Sequence, residues 1–560
     1  MSTPFKSSRT LKKDKVLSPR EIEHLIALGD CIVIYDQAVL KLNSWINKHP
    51  GGDKAVHHMI GKDATDEMNA YHSVETISIF KKFSIGVIDH DWVNLLPPIQ
   101  GGIYSSMTDN NQKSEIKVKP MGQAAVEIKP KIPAGVIPTK ESDEFYPIHS
   151  DGAIRDPALV IESFDNSLVK MDLESQPSLD YETQRELSRK YRILHQKVKD
   201  ANLYQCPYVE YYKQACINLS LFLYFLIFFK TGHYFLSAVS IGLCWQQLTF
   251  IAHDAGHISI THNYQLDNII GIIIADWMGG LSLGWWKRNH NVHHLVTNDP
   301  VHDPDIQHLP FFAVSSRLLG DVYSTYYEKY LWFDKIAKVV VQFQRHLYYP
   351  ILCFGRFNLY RLSWEYLLKG QGPRRGKAAW LRYFEIVGLS FFFYWFFYLV
   401  IGALDTKWDK FQFIMVSHVT TMIVHVQITL SHFAMSTSDL GTSESFVARQ
   451  LRTTMDVLCP EWFDFFHGGL QFQAVHHLFP RLPRHNFRKA QAYVLEFCEE
   501  TGLKYSIYGF VDGNNKVLLK MDDISKQVKI MKDCLNSMAM ENNENKNIYE
   551  KRVDEALKVE

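Results

Sequence analysis

Four long apolar runs decide what this chain of 560 residues can fold into. They cover about 214–230, 234–252, 385–404 and 411–433. A helix of about 20 residues crosses ~30 Å of hydrocarbon, so each run is close to a full span. Within a bilayer the backbone must satisfy its own hydrogen bonds, which makes such runs helices. Lys230, Thr231, Gly232 and His233 separate the first two runs, and the short loop DTKWDK at 405–410 separates the last two. The pattern therefore predicts two membrane hairpins. A fifth apolar run, 267–284, carries Asp267 and Asp276 and is glycine-rich at its end. It reads as interfacial or re-entrant. The central loop 285–384 is rich in Lys and Arg, including PRRGK at 373–377. The positive-inside tendency then places that loop and both termini in the cytosol.

Three histidine clusters follow from the same layout: HDAGH at 253–257, HNVHH at 290–294 and QAVHH at 473–477. The first follows the second span, the second lies in the central loop, and the third follows the fourth span. All three fall on the cytosolic side of a topology chosen without reference to them. Imidazoles at i, i+3 and i+4 share one helix face and can converge on a metal. The candidate ligands are His253, His257, His290, His293, His294, His476 and His477. Imidazole suits iron, zinc, copper and nickel, so ligand type does not choose the metal. Seven histidines exceed one four-coordinate site, and two metal ions are the simpler reading. His432, at the cytosolic end of the fourth span, is a further candidate ligand. His425 lies about two turns deeper and reads as packing, while His262, His302, His467 and His485 read as supporting or surface residues. Asp254, Asp303 and Asp305 offer carboxylates that either orient imidazoles or form turns, with turns slightly favoured.

The ends of the chain differ from this middle. Residues 1–15 form a polar, basic tail with no apolar core of the kind a cleaved signal peptide needs. Residues 16–95 mix short apolar runs and turns, as a small α+β domain does; 96–180 has linker chemistry; 181–520 forms the membrane domain; and 521–560 reads as a solvated tail. A formal net charge of zero gives no electrostatic case for nucleic acid. The eight cysteines are scattered with no CxxC pair, which indicates neither a disulfide framework nor a thiolate zinc site and fits a reducing compartment.

The N-terminal domain has its own chemistry. HPGG at 49–52 forces a tight turn, Trp45 precedes it, and DATDEMNAYHS at 63–73 supplies His72 after a helix-like stretch. Two imidazoles facing an apolar pocket from opposite sides would saturate a haem iron and leave it an electron carrier. HPGG, DAT at 63–65 and HS at 72–73 make residues 16–90 resemble cytochrome b5. The resemblance implies that His49 and His72 are axial ligands of haem b. Tyr71 stands where that pattern often has Gly, and His57 and His58 read as solvated helix residues.

The order of cytochrome b5, long linker and three boxes resembles the b5-fusion front-end desaturases. WWKRNHNVHH at 285–294, DPDI at 303–306 and GGLQFQAVHHLFPRLPRHN at 468–486 carry the likeness, with Gln473 its most specific mark. The long linker and LSHFAMST at 430–437 look most like the fungal sphingolipid Δ8 desaturases. The resemblance implies a b5-like haem domain joined to a mainly α-helical, four-span desaturase domain with a cytosolic histidine-box cap. It implies two irons, O2, NADH-cytochrome b5 reductase as electron donor, and a sphingolipid or ceramide substrate at the endoplasmic reticulum membrane. Gln473 would be a weak or supporting ligand. Three alternatives stand beside this: an acyl-lipid Δ6 or Δ5 desaturase, a b5-fused lipid hydroxylase, and a membrane electron carrier or metal-binding receptor.

Overall fold

The computed structural model describes residues 15–105, 115–117, 157–373 and 375–556. The first domain opens with α1 (Pro19–Ala27), capped by Ser18, whose side chain accepts from the Glu21 amide while Glu21 accepts from the Ser18 amide. Strands β1 (Ile32–Tyr35) and β2 (Ala38–Lys41) form an antiparallel hairpin. Its two-residue turn puts Asp36 and Gln37 at φ 47° and 65°, the left-handed geometry that matches strand twist. Strand β3 (Ser84–Val87) completes the sheet beside β2. Helices α2 (Asp53–His57), α3 (Thr65–Tyr71) and α4 (Val74–Phe80) carry the two haem-ligand candidates at their margins. Ile22, Ile26, Ile32, Ile34, Leu40 and Phe80 fill the core.

The second domain is helical. After α5 (Pro157–Ser175) and α6 (Tyr181–Asp200), the chain makes the hairpin α7 (Tyr208–Lys230) and α8 (Tyr234–Gly256). Then come α9 (Tyr264–Ile272), extended to Met278, and α10 (Leu283–Leu295). Short helices α11 (Lys335–Val340), α12 (Gln344–Leu352) and α13 (Gly355–Lys369) lead to a second hairpin. Its arms are α14 (Leu381–Phe393, continuing to Val400) and the pair α15 (Lys407–Thr420) and α16 (Met422–Phe433). Among the described residues four helices are long and apolar enough to cross a membrane, and they are these two hairpins. The chain is a membrane protein. The fifth apolar run does not go straight: α9 and α10 meet at 115°. Asp276 sits at the bend, accepting from the Leu283 amide, so a carboxylate supplies the capping that a continuous helix would not need.

The cap is made by α17 (Phe446–Thr453), α18 (Asp464–His467), α19 (Gln473–Leu478) and α20 (Phe487–Thr501), packed with α6 around Tyr191, Val475, Phe479 and Val494. The chain then enters α21 (Phe510–Ala556). Here the structure differs from the solvated tail expected at 521–560. Val517, Met521, Ile524, Val528 and Met531 recur at alternating intervals of four and three and are buried against α12 and α16. One apolar stripe in a polar sequence suffices to dock a helix. The expected linker also ends earlier than 180. Residues 106–114 and 118–156 lie outside the described residues, but α5 is helical, with Val160 buried and Asp172 paired to Arg452 at 3.4 Å. Bulk composition had averaged that helix into its polar surroundings.

The first domain is docked against α6, α10 and the loop at 325–328. Arg288 pairs with Asp53 at 2.8 Å, Arg192 with Asp66 at 2.6 Å, and Lys54 with Glu328. Asn291 donates to the Gly51 carbonyl at 3.0 Å. A Cβ on Gly51 would lie 3.1 Å from that Asn291 amide and 3.0 Å from the His49 ring, so a larger residue would have to push one of them aside. His58 is not solvated as expected. It is 1% exposed, contacts Gln100 at 2.9 Å, and lies with its ring centre 5.4 Å from that of His302 across the interface.

Candidate metal centre and haem site

The three boxes and His432 converge. His253, His257, His290 and His476 bring donor atoms within 4.8 Å of one another, and His293, His432 and His477 form a second such group. His294 lies between them, its ring centre 4.7 Å from that of His476 and 4.1 Å from that of His477. Four helices supply the ligand candidates: α8, α10, α16 and α19. The spacing explains the sorting. His290 faces the first group, His293 is rotated toward the second, and His294, one turn after His290, stands between them.

The donor chemistry suits metal ions. Nε2 of His257, Nδ1 of His294 and His432, Nε2 of His477 and both nitrogens of His476 are buried without a hydrogen-bond partner. An unsatisfied buried polar atom costs about 1–3 kcal/mol, and so many in one small volume call for a shared ligand. Burial, reinforced by the neighbouring imidazoles, pulls His476 and His477 well below the usual imidazole range. They are therefore neutral, the form that offers a lone pair to a metal.

Supporting contacts fix the rings. Asp303 accepts from His293 Nδ1 at 2.8 Å, and Asp305 lies 3.5 Å from His290 Nδ1. Turn formation and imidazole orientation prove to be one arrangement. Asp303 also accepts from the amides of Asn298 and Asp305 at 2.7 and 2.8 Å. Asp254 serves mainly another purpose. It sits 3.9 Å from His253 but pairs directly with Arg484 and Tyr211, tying α8 to the segment after the third box. Trp286 stacks on His290 at 4.5 Å. Gln473 is buried one turn before His476, and its Oε1 has no partner among the described contacts.

In the first domain the rings of His49 and His72 face each other with centres 6.0 Å apart. Two iron–nitrogen bonds of about 2 Å, plus about 1 Å from each nitrogen to its ring centre, give about that spacing. His49 Nδ1 contacts the Gly52 carbonyl at 2.8 Å and His72 Nδ1 the Met68 carbonyl at 3.1 Å. Both rings thereby keep Nε2 for the gap between them. A cavity of about 710 Å3 opens beside His49 at the domain interface, lined by Lys48, Lys287, Arg288, Arg375 and Arg382. Asp53 and Glu385 line the same cavity, and Arg288 is paired with Asp53.

Comparison with known proteins gives the same division. Residues 231–509 match the family described as fatty acid desaturase, and residues 18–89 the cytochrome b5-like heme/steroid binding domain. The chain is 63% identical over 541 residues to a Delta 8-(E)-sphingolipid desaturase of Komagataella phaffii, covering 96% of this chain and 99% of that one. It is 59% identical to the enzyme of that name from Lachancea kluyveri, covering 94% and 96% of the two chains. For the Kluyveromyces lactis enzyme of that name the identity is 56%, with 98% and 100% covered. The chain belongs to the b5-fusion desaturases. Its first domain is thus a cytochrome b5-like domain, and its histidine groups lie in the part that matches the desaturase family.

Several residues of this desaturase were beyond sequence reasoning. Gln450 on α17 accepts from His477 Nδ1 at 2.8 Å and donates to the His294 carbonyl at 2.8 Å. Asp456 accepts from the Ala474 amide at 2.8 Å and steadies the start of the third-box helix. Tyr71 reaches from the haem module to His294, with ring centres 5.8 Å apart. No local motif marks Gln450 or Asp456. Tyr71 did carry a signal, as a departure from the b5 pattern.

Proposed function

We propose that the chain is an O2-dependent desaturase that places an E double bond at the Δ8 position of the long-chain base of sphingolipids. The observation that carries this reading is the pairing of near-full-length similarity to enzymes so named with an intact set of eight convergent histidines. Two irons held by His253, His257, His290, His476, His293, His432 and His477, with His294 between them, would supply the oxidising power that an unactivated methylene requires. Haem b held by His49 and His72 would deliver electrons one at a time.

The protein's own residues set the conditions. Asp303 and Gln450 hold His293 and His477 in the tautomer that leaves Nε2 facing the centre. Trp286, against His290 and His253, screens that side of the centre from water. The docked haem module places His72 one residue from a side chain that touches His294, so delivery needs no large displacement. Gln473 contributes its amide oxygen as a weak ligand or as an acceptor for a water. NADH-cytochrome b5 reductase is the electron source outside the chain. Both termini and the metal centre face the cytosol at the endoplasmic reticulum, consistent with the basic central loop.

Lipid profiling tests this in a yeast strain that lacks long-chain-base desaturation. A new sphingoid-base double bond that disappears in His49→Ala and His476→Ala is the expected result. A double bond confined to fatty acids would reassign the substrate, and a hydroxyl would make the chain a hydroxylase.

A further inference from the structure

Tyr71 is the last residue of α3 and the immediate neighbour of His72. Its ring meets the His294 ring edge-on, with an interplanar angle of 80° and centres 5.8 Å apart. On one side it is a single peptide unit from a haem-ligand candidate. On the other it is one van der Waals contact from a metal-ligand candidate. Its hydroxyl is buried without a partner, so hydrogen bonding does not explain the residue. The ring also packs against the edge of the cap's core, but it is not the only group that holds the two domains together. Ala70 is already buried in the cap's core, and Arg192–Asp66, Arg288–Asp53 and Lys54–Glu328 hold the module in place. The b5 pattern itself tolerates glycine at this position. What the ring adds is continuity of covalent and packed atoms between the two centres.

We infer that the Tyr71 ring is the bridge by which electrons pass from the haem module to the histidine centre. The inference rests on the desaturase reading above. With haem and metals bound, each passage would move one electron from ferrous haem, leaving it ferric, to the metal pair. No proton moves with it, and O2 is the terminal oxidant. The bridge is a positioning element: His72 would hold the haem, His294 stands between the two histidine groups, and Tyr71 joins them. Phenylalanine preserves that contact, whereas glycine and leucine remove the aromatic edge.

The test follows haem absorbance after the reduced, iron-loaded full-length protein is mixed with O2. The variants are Tyr71→Phe, Tyr71→Leu and Tyr71→Gly, with His476→Ala as the baseline for a broken metal centre. Haem content, haem midpoint potential and the rate of haem reduction by the reductase are measured on each. Tyr71→Phe is expected to reoxidise at the wild-type rate. Tyr71→Leu and Tyr71→Gly are expected to slow by roughly tenfold or more, equivalent to about 1.4 kcal/mol of barrier, with content, potential and reduction unchanged. Wild-type rates in Leu and Gly overturn the bridge and leave the desaturase reading intact. A shifted potential or lost haem in those variants makes Tyr71 a haem-pocket residue and also overturns it. Slowing in Tyr71→Phe would assign the effect to the hydroxyl and reject the ring. A wild-type rate no faster than His476→Ala removes the desaturase reading and the bridge with it.

Discussion

His293 and Asp303 are joined by a 2.8 Å contact from Nδ1 to Oδ2, both side chains essentially buried. The carboxylate accepts two backbone amides as well, so it is held by its own loop and in turn holds the ring. Asp303→Asn keeps the shape but replaces an acceptor with an amide that must turn a donor toward one of these partners. Outer partners of metal-bound imidazoles typically contribute about 10–100-fold in metal affinity or activity. Asp303→Asn should therefore lower iron affinity by that order while leaving haem content untouched. Metal analysis beside a haem spectrum reads both. Unchanged iron binding would return Asp303 to a turn-forming role.

His432 stands in the same group, but on a different helix and without any box motif around it. Its ring centre lies 4.6 Å from that of His293 and 4.9 Å from that of His477. Removing it takes one of three donors from the second group and none from the first. His432→Ala should thus lose about one metal ion of two and nearly all desaturation, whereas an interfacial histidine would change neither. Stoichiometry of the iron-loaded, purified variant distinguishes the outcomes.

The convergence of the candidate ligands was legible in sequence because a helix turns chemistry into spacing. His290, His293 and His294 need only one helix face to act together, and the membrane hairpins bring the boxes to one side. His49 and His72 were legible for a related reason, since a tight HPGG turn and a helix end are local events. What could not be read is long-range. Gln450 lies 27 residues from His477, and Asp456 18 residues from Ala474, with no periodicity linking either pair. Asp303 and Asp305 were read as turn residues slightly ahead of ring partners, and both uses coexist in the fold. His58 was misread because its helix is polar. Its burial comes from a second domain that local sequence does not reveal.

Asp456 offers a pH-dependent test away from the ligands. Burial outweighs its hydrogen bonds from Tyr505, the Ala474 amide and Gln491, and pushes its carboxyl up to about 7. Its unfolded value is about 3.9. A carboxyl raised on folding contributes stability that is fully present below the unfolded value and is lost as pH rises through the folded value. The wild-type advantage over Asp456→Asn in thermal unfolding should accordingly shrink from pH 4 to pH 7 and level off above it, those bounds being the approximate values just given. A difference independent of pH across that window would mean the carboxyl is ionised throughout. The comparison is made in detergent against the same background, so other titrating groups cancel.

The terminal helix gives the last prediction. Five side chains of α21, from Val517 to Met531, are buried against α12, α16 and the loop around Leu318 and Leu319, whereas Leu535 is already 44% exposed. Full burial of such a side chain contributes about 1.5–3 kcal/mol, so the stripe is comparable with the net stability of a typical domain even after a large discount for the unfolded chain. Ser525 adds a hydrogen bond to the Val341 carbonyl at 2.8 Å. Ending the chain after Ala539 should leave expression and unfolding temperature within a degree or two, by the roughly ±0.5 kcal/mol typical of surface changes. Ending it after Gly509 should abolish stable protein, because α16, which carries His432, loses the helix packed behind Leu430. Folded, metal-binding protein from the shorter chain would show that α21 covers the domain without supporting the centre. The two truncations together separate a structural helix from a solvated tail, and they place the supporting part of α21 between residues 510 and 539.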